Sequence, residues 1–149
     1  MYRVGEKDHE LYEEVLRRLR ELLKDIEESL EPKLVILYGS FARGDWHEGS
    51  DIDLLVVSDK VPPSPKDRWD LYRVIMGFPL EPHIYTTKEF EELLIHGRMR
   101  ALDALTEGVI LQADEKYKEK VDEMLRETMK RLKPRRIELG WQLNPEAES

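Results

Sequence analysis

Two short apolar runs, LVILY at 34–38 and LLVV at 54–57, stand fifteen residues apart. Each is too short for a core helix, which needs about ten residues or more, and each is rich in Leu, Val or Ile, the profile of a strand buried in a sheet. A chain with two such runs so close together is committed to building a sheet around them. The first strand is predicted over Lys33 to Tyr38 and closes at Gly39-Ser40, and the second runs from Asp51 to Val57. Between them Phe41 to Arg43 fit one helical turn, while Gly44, Asp45, Gly49 and Ser50 mark a loop.

The flanking sequence supplies helices for that sheet. Leu11, Val15, Leu19, Leu22, Ile26 and Leu30 recur at steps of three and four, so Asp8 to Leu30 reads as an amphipathic helix, which Pro32 ends by pushing Glu31 out of helical geometry. Three prolines within Val61 to Pro65 indicate an extended surface connection. Lys66 to Met76 reads as a helix using Trp69, Tyr72, Val74 or Ile75, and Met76, stopped by Gly77 and Pro79. Leu80 to Tyr85 is a third strand, at an edge or an irregular position because Pro82 cannot donate a ladder hydrogen bond. Thr86 and Glu89 form a capping box that opens a helix to His96, with Gly97 behind it, and a second short helix spans Arg98 to Thr106. Val109 to Gln112 is a fourth strand. Asp114 caps a last helix to Leu132, with Tyr117, Val121, Met124, Thr128 and Leu132 on one stripe and Pro134 as its stop. The 149 residues fit one domain, with an N-terminal helix at 8–30, a core at 33–86, helices at 88–133 and a short tail.

The chemistry is concentrated in YGSFARGDWHEGSDIDLLVV. Side chains alternate faces along a strand, so Asp51 and Asp53 point one way while Ile52 turns to the other, packed face. Two convergent carboxylates repel and raise one another's pKa, and a hard divalent cation between them resolves that cost. Mg²⁺ is the natural candidate, and its preference for phosphate oxygens makes a nucleoside triphosphate the expected partner. Gly39 lets phosphate approach the backbone, and Ser40 with the amides behind it can hold anionic oxygens. Arg43 follows closely and is either a further phosphate contact or a surface ion pair with Asp45 and Glu48.

These residues resemble the minimal nucleotidyltransferases of the DNA polymerase β-like superfamily, whose mark is Gly-Ser, a short spacer and Asp-x-Asp. The resemblance covers Leu34 to Val57 and extends in element order to Tyr85. It implies an α/β fold of α+β-like type, with a small mixed sheet and helices mainly on one face. It also implies a third acid on a later strand, for which Glu81 in LEPHIY is the candidate, sharing a face with His83 and Tyr85. Asp51, Asp53 and Glu81 would then hold two Mg²⁺ ions. One would carry the triphosphate and the other would activate a hydroxyl for in-line attack on the α-phosphorus, with release of pyrophosphate. ATP is the default donor, so AMP is the group moved. Many minimal members are antitoxins that adenylylate a helical partner toxin, which makes such a protein an expected partner. The rival reading is a nucleotide-binding or interaction module that keeps the fold without turnover.

Charge and composition narrow the field. Lys and Arg total 24 against 32 Asp and Glu, a net charge of -8 that disfavours generic nucleic-acid binding. The chain leaves no room for a template-binding domain, so a templated polymerase is disfavoured too. With no Cys there is no disulfide, thiolate metal site or thiol nucleophile, and the absence of a long apolar run or signal-peptide core points to a cytoplasmic protein without a membrane span. KRLKPRR at 130–136 holds five basic residues, explained by helix C-terminal charge or by contact with RNA or an acidic partner. Trp46 either stacks on a nucleobase or covers its loop, and His83 is either a proton relay or a half-exposed strand residue. Ile137, Leu139, Trp141 and Leu143 alternate in the tail as an added edge strand or a subunit contact, the latter making a homo-oligomer.

Overall fold

The computed structural model describes residues 6–64, 67–68, 73–137 and 140–143. Helix α1 (Glu6–Leu30) leads into β1 (Leu34–Tyr38), one turn of helix α2 (Ser40–Arg43), and β2 (Ile52–Val57). A hairpin of β3 (Arg73–Ile75) and β4 (Phe78–Tyr85) follows, then α3 (Thr87–Ile95), α4 (Met99–Glu107), β5 (Val109–Ala113) and α5 (Glu115–Leu132). A separate two-stranded hairpin, β6 (Arg135–Ile137) and β7 (Gly140–Gln142), closes the described chain.

The main sheet has five strands in the order β3-β4-β2-β1-β5. It is mixed: β2 and β4 run parallel, and every other neighbouring pair is antiparallel. The two apolar runs occupy its middle, and Leu34 to Leu37 are fully buried. Burial on both faces is why these strands read as unbroken hydrophobic runs rather than as alternating patterns.

Helices lie mainly on one face, as expected. Phe90 and Leu94 of α3, Ala101 and Ala104 of α4, and Tyr117 and Val121 of α5 pack there on Leu34, Ile36, Leu55 and Val57. The opposite face is covered by α1 through Val15, Leu19, Leu22 and Ile26, which meet Val35, Leu37, Leu54 and Val56. Each fully buried Leu or Ile on that stripe contributes about 1.5–3 kcal/mol relative to exposure, so α1 is held by the sheet rather than by its own propensity. The capping box at Thr86 and Glu89 forms as predicted, and the Asp114 side chain accepts from the Tyr117 N–H. No helix among the described residues is long and apolar enough to cross a membrane.

One prediction is corrected. Arg73 to Ile75 do not continue a helix from Lys66; they pair antiparallel with Phe78 to Leu80 as β3. Met76 and Gly77 form the two-residue connection, with φ of 55° and 87°. Two successive positive φ values give a hairpin turn whose twist matches its strands. Helix-like spacing of Tyr72, Ile75 and Met76 disguised the turn, because methionine rarely occupies a left-handed position. The rest of the predicted helix, Lys66 and Trp69 to Tyr72, lies outside the described residues, as does Leu139 of the tail.

Pro82 explains its own tolerance. Backbone groups alternate sides along a strand, and the Tyr85 carbonyl accepts from Ser58 beyond β2 while the Ile84 carbonyl turns the other way. Pro82 therefore directs its missing donor away from β2, so the β2–β4 ladder loses no hydrogen bond there. On that same side Arg68, which no sequence pattern singles out, reaches the Ile84 carbonyl. Its buried guanidinium donates to the carbonyls of Pro62, Pro63 and Ile84 and to the Glu89 carboxylate at 2.6 Å.

Candidate active site

Strand alternation decides which side chains can meet. Ile52, Leu54 and Val56 belong to the α1 side, so Asp51 and Asp53 face the α3–α5 side. In β4, Leu80 and Ile84 belong to the α1 side, which turns Glu81, His83 and Tyr85 toward the acids. Register does the rest. Tyr38 is paired with Asp53, and Asp53 with Glu81, so three side chains from three strands stand in one row across the sheet.

The row brings charges together. His83 Nε2 lies 3.6 Å from Asp53 Oδ1 and 4.0 Å from Glu81 Oε2. Asp53, Glu81 and His83 each offer a ligand atom within 4.8 Å of the other two. Asp51, the residue before β2, brings its negative charge to bear on Glu81. Partial burial, reinforced by the charges of Asp51 and Asp53, pushes the Glu81 carboxyl above its ordinary pKa. Burial and then the Asp53 charge push the Tyr38 phenol upward as well, so it stays protonated. Crowded carboxylate oxygens beside an imidazole nitrogen are a donor set that suits a divalent cation.

Gly39 is fixed by the same carboxylate. Its φ is 79°, and a Cβ built there would stand 2.5 Å from Asp53 Oδ2. Only a glycine satisfies both the left-handed backbone and the close approach. Ser40 opens α2 directly behind it, and its carbonyl accepts from the N–H groups of Gly44 and Asp45. The Ser50 hydroxyl accepts from the His47 N–H, fixing the loop that delivers Asp51.

The remaining sequence candidates fall into place around this centre. Arg43 donates from Nε to Asp45 Oδ2 at 3.2 Å and its Nη1 lies 3.7 Å from Glu107, so two carboxylates share its charge. Trp46 is 2% exposed and stacks on Phe41, ring centroids 4.9 Å apart, and on Tyr12 at 5.6 Å. It covers its loop from the α1 side and offers no face to a base. In the basic cluster, Arg136 pairs with Asp103 at 2.6 Å and with Glu107 at 3.3 Å, and Trp141 donates to Asp103. Those contacts dock the tail hairpin on α4. Sequence reasoning missed Arg100, whose Nη1 donates to Tyr85 Oη at 2.6 Å on the same sheet face as the acids.

Comparison with known proteins adds to this geometry. A family model described as nucleotidyltransferase domain matches residues 16–139. A Methanocaldococcus jannaschii protein provisionally named a protein adenylyltransferase is 36% identical over 70 residues, 46% of this chain and 70% of the relative. Another relative from that organism, with the same kind of name, is 43% identical over 47 residues, 32% of this chain and 44% of its own length. A crystal structure from Sulfolobus solfataricus, provisionally named a nucleotidyltransferase, superposes with a TM-score of 0.53 at 21% identity, covering 75% of this chain and 92% of that one. The superposition is a likeness of fold.

Proposed function

Because this chain belongs to the nucleotidyltransferase domain family, we propose that it transfers AMP from ATP to a hydroxyl group of a protein. The observation that carries the reading is the meeting of Asp53, Glu81 and His83 beside Gly39, with the Asp51 charge acting on Glu81. Three acids gathered against a glycine-lined backbone turn are costly to fold without a cation and a ligand to justify them.

In this reading Asp51, Asp53 and Glu81 would hold Mg²⁺, two ions in the full site. Bound there, Mg²⁺ would supply charge neutralisation for the triphosphate and for the attacking oxygen. Gly39 and Ser40 would present backbone and hydroxyl to the phosphates, with Arg43 as a neighbouring cation. The acceptor oxygen forms a bond to the α-phosphorus as the bond from that phosphorus to the pyrophosphate oxygen breaks. His83 Nε2, beside Asp53 and Glu81, would take up the acceptor's proton. Buried Tyr38 and the α4 helix beneath it would limit water on that side of the row.

The provisional names of the two relatives support a protein acceptor. In its finer form the reading makes that acceptor a tyrosine of a helical toxin, with this chain as the antitoxin. An ATP donor fits a cytoplasmic setting. Incubating the purified chain with α-labelled ATP, Mg²⁺ and cell extract should label a discrete protein band. Metal-dependent ATP binding with no labelled acceptor and no pyrophosphate release would instead favour a binding module without turnover.

A further inference from the structure

The acid row has a cation at its side that no sequence motif announces. Arg100 is the second residue of α4; its Nη1 donates to Tyr85 Oη, and the Tyr38 phenol lies within electrostatic reach of its guanidinium. Tyr38 is the register partner of Asp53, and its ring centroid lies 5.9 Å from that of His83. Arg100 therefore stands one side chain away from the carboxylates.

What distinguishes it is the chemistry of its partners. Arg43, Arg68 and Arg136 each pair with carboxylates, which offset their charge. Among the described residues no carboxylate pairs with Arg100; its hydrogen-bond acceptor is the phenol of Tyr85. The Tyr85 phenol holds the guanidinium without neutralising it, and an arginine has five N–H donors to offer. An oriented, uncompensated arginine on the exposed side of α4, in a chain of net charge -8, is suited to an anion with several oxygens. We propose that Arg100 binds the β- and γ-phosphates of the nucleoside triphosphate and holds the departing pyrophosphate. The proposal rests on the reading above, but its test needs neither acceptor nor turnover.

Titration of the purified chain with inorganic tripolyphosphate in Mg²⁺, followed by calorimetry, reads the contact directly. Arg100→Gln is expected to weaken binding about 10- to 100-fold, the loss of a charge-assisted hydrogen-bonding group. Arg100→Lys, which keeps the charge but not the planar fork, is expected to fall between the two and guards against misfolding of the first variant. In the transfer reaction Arg100→Gln should raise KM for ATP and slow turnover, whereas a residue that only tethered α4 would lower the thermal midpoint and leave affinity alone. Equal affinity of wild type and both variants, or no binding by the wild type, would overturn the assignment of Arg100. Loss of labelled acceptor in the wild type would overturn the transferase reading instead.

Discussion

The Asp53 carboxylate closes over Gly39 so tightly that a methyl group there would meet Oδ2 at 2.5 Å. Gly39→Ala must therefore strain a backbone at φ 79° and displace an acid of the site at once. It should cost about 1–3 kcal/mol and reduce transfer by roughly 100-fold or more. Gly77→Ala is the control: its φ is 87° with nothing within 4 Å, so it should cost about 1 kcal/mol and leave transfer intact. Thermal melts and the labelled-ATP assay, run on both, separate strain from site damage.

Glu81 is expected to matter for turnover more than for binding. Glu81→Gln should leave ATP affinity within about threefold while lowering transfer by at least 100-fold, because the chemical step needs the charge it brings. Asp51→Asn and Asp53→Asn should weaken both, and chelation of divalent ions should abolish transfer in the wild type. Unaltered turnover in Glu81→Gln would remove that residue from the site.

The raised pKa of Glu81 has a consequence for stability in the metal-free protein. A carboxyl whose folded pKa lies above its unfolded value contributes fully below the unfolded pKa, and that contribution is lost as pH rises through the folded one. Thermal midpoints measured with chelator should fall over that window toward neutral pH. Glu81→Gln should flatten the fall, and added Mg²⁺ should shrink it.

Glu89 works in the opposite sense. Burial raises its pKa, but hydrogen bonds from Arg68 and Thr86 outweigh burial and hold it below the usual range. Its contribution is present above the unfolded pKa and lost as pH falls through the depressed value. Glu89→Gln should thus flatten the acid limb of the stability profile. Arg68→Met, which also frees the carbonyls of Pro62, Pro63 and Ile84, should cost about 2–4 kcal/mol in denaturant titration.

Legibility in the sequence followed the range of the interactions. The Gly39-Ser40 turn, the Asp51 and Asp53 pair and the caps at Thr86 and Asp114 are local, and short windows were enough to find them. Glu81 comes from the family resemblance, which calls for a third acid on a later strand, and its meeting with Asp53 depends on a parallel pairing across the sheet. Arg68 and Arg100 could not be found in this way. Their value lies in partners 21 and 15 residues away, which no periodicity records. The misread β3 was a local failure, since its turn places Met76 where asparagine or glycine is the usual signal.

Parallel alignment of β2 and β4 also limits how this candidate face can vary. Sliding β4 by a single position would swing Glu81 and His83 beneath α1 and bring Pro82, which has no ionisable group, into the row. Small slippages cannot detune such a centre by degrees; they dismantle it. Diversification among proteins built this way would then fall on the rim, where loops and the docked hairpin can change without disturbing strand alignment.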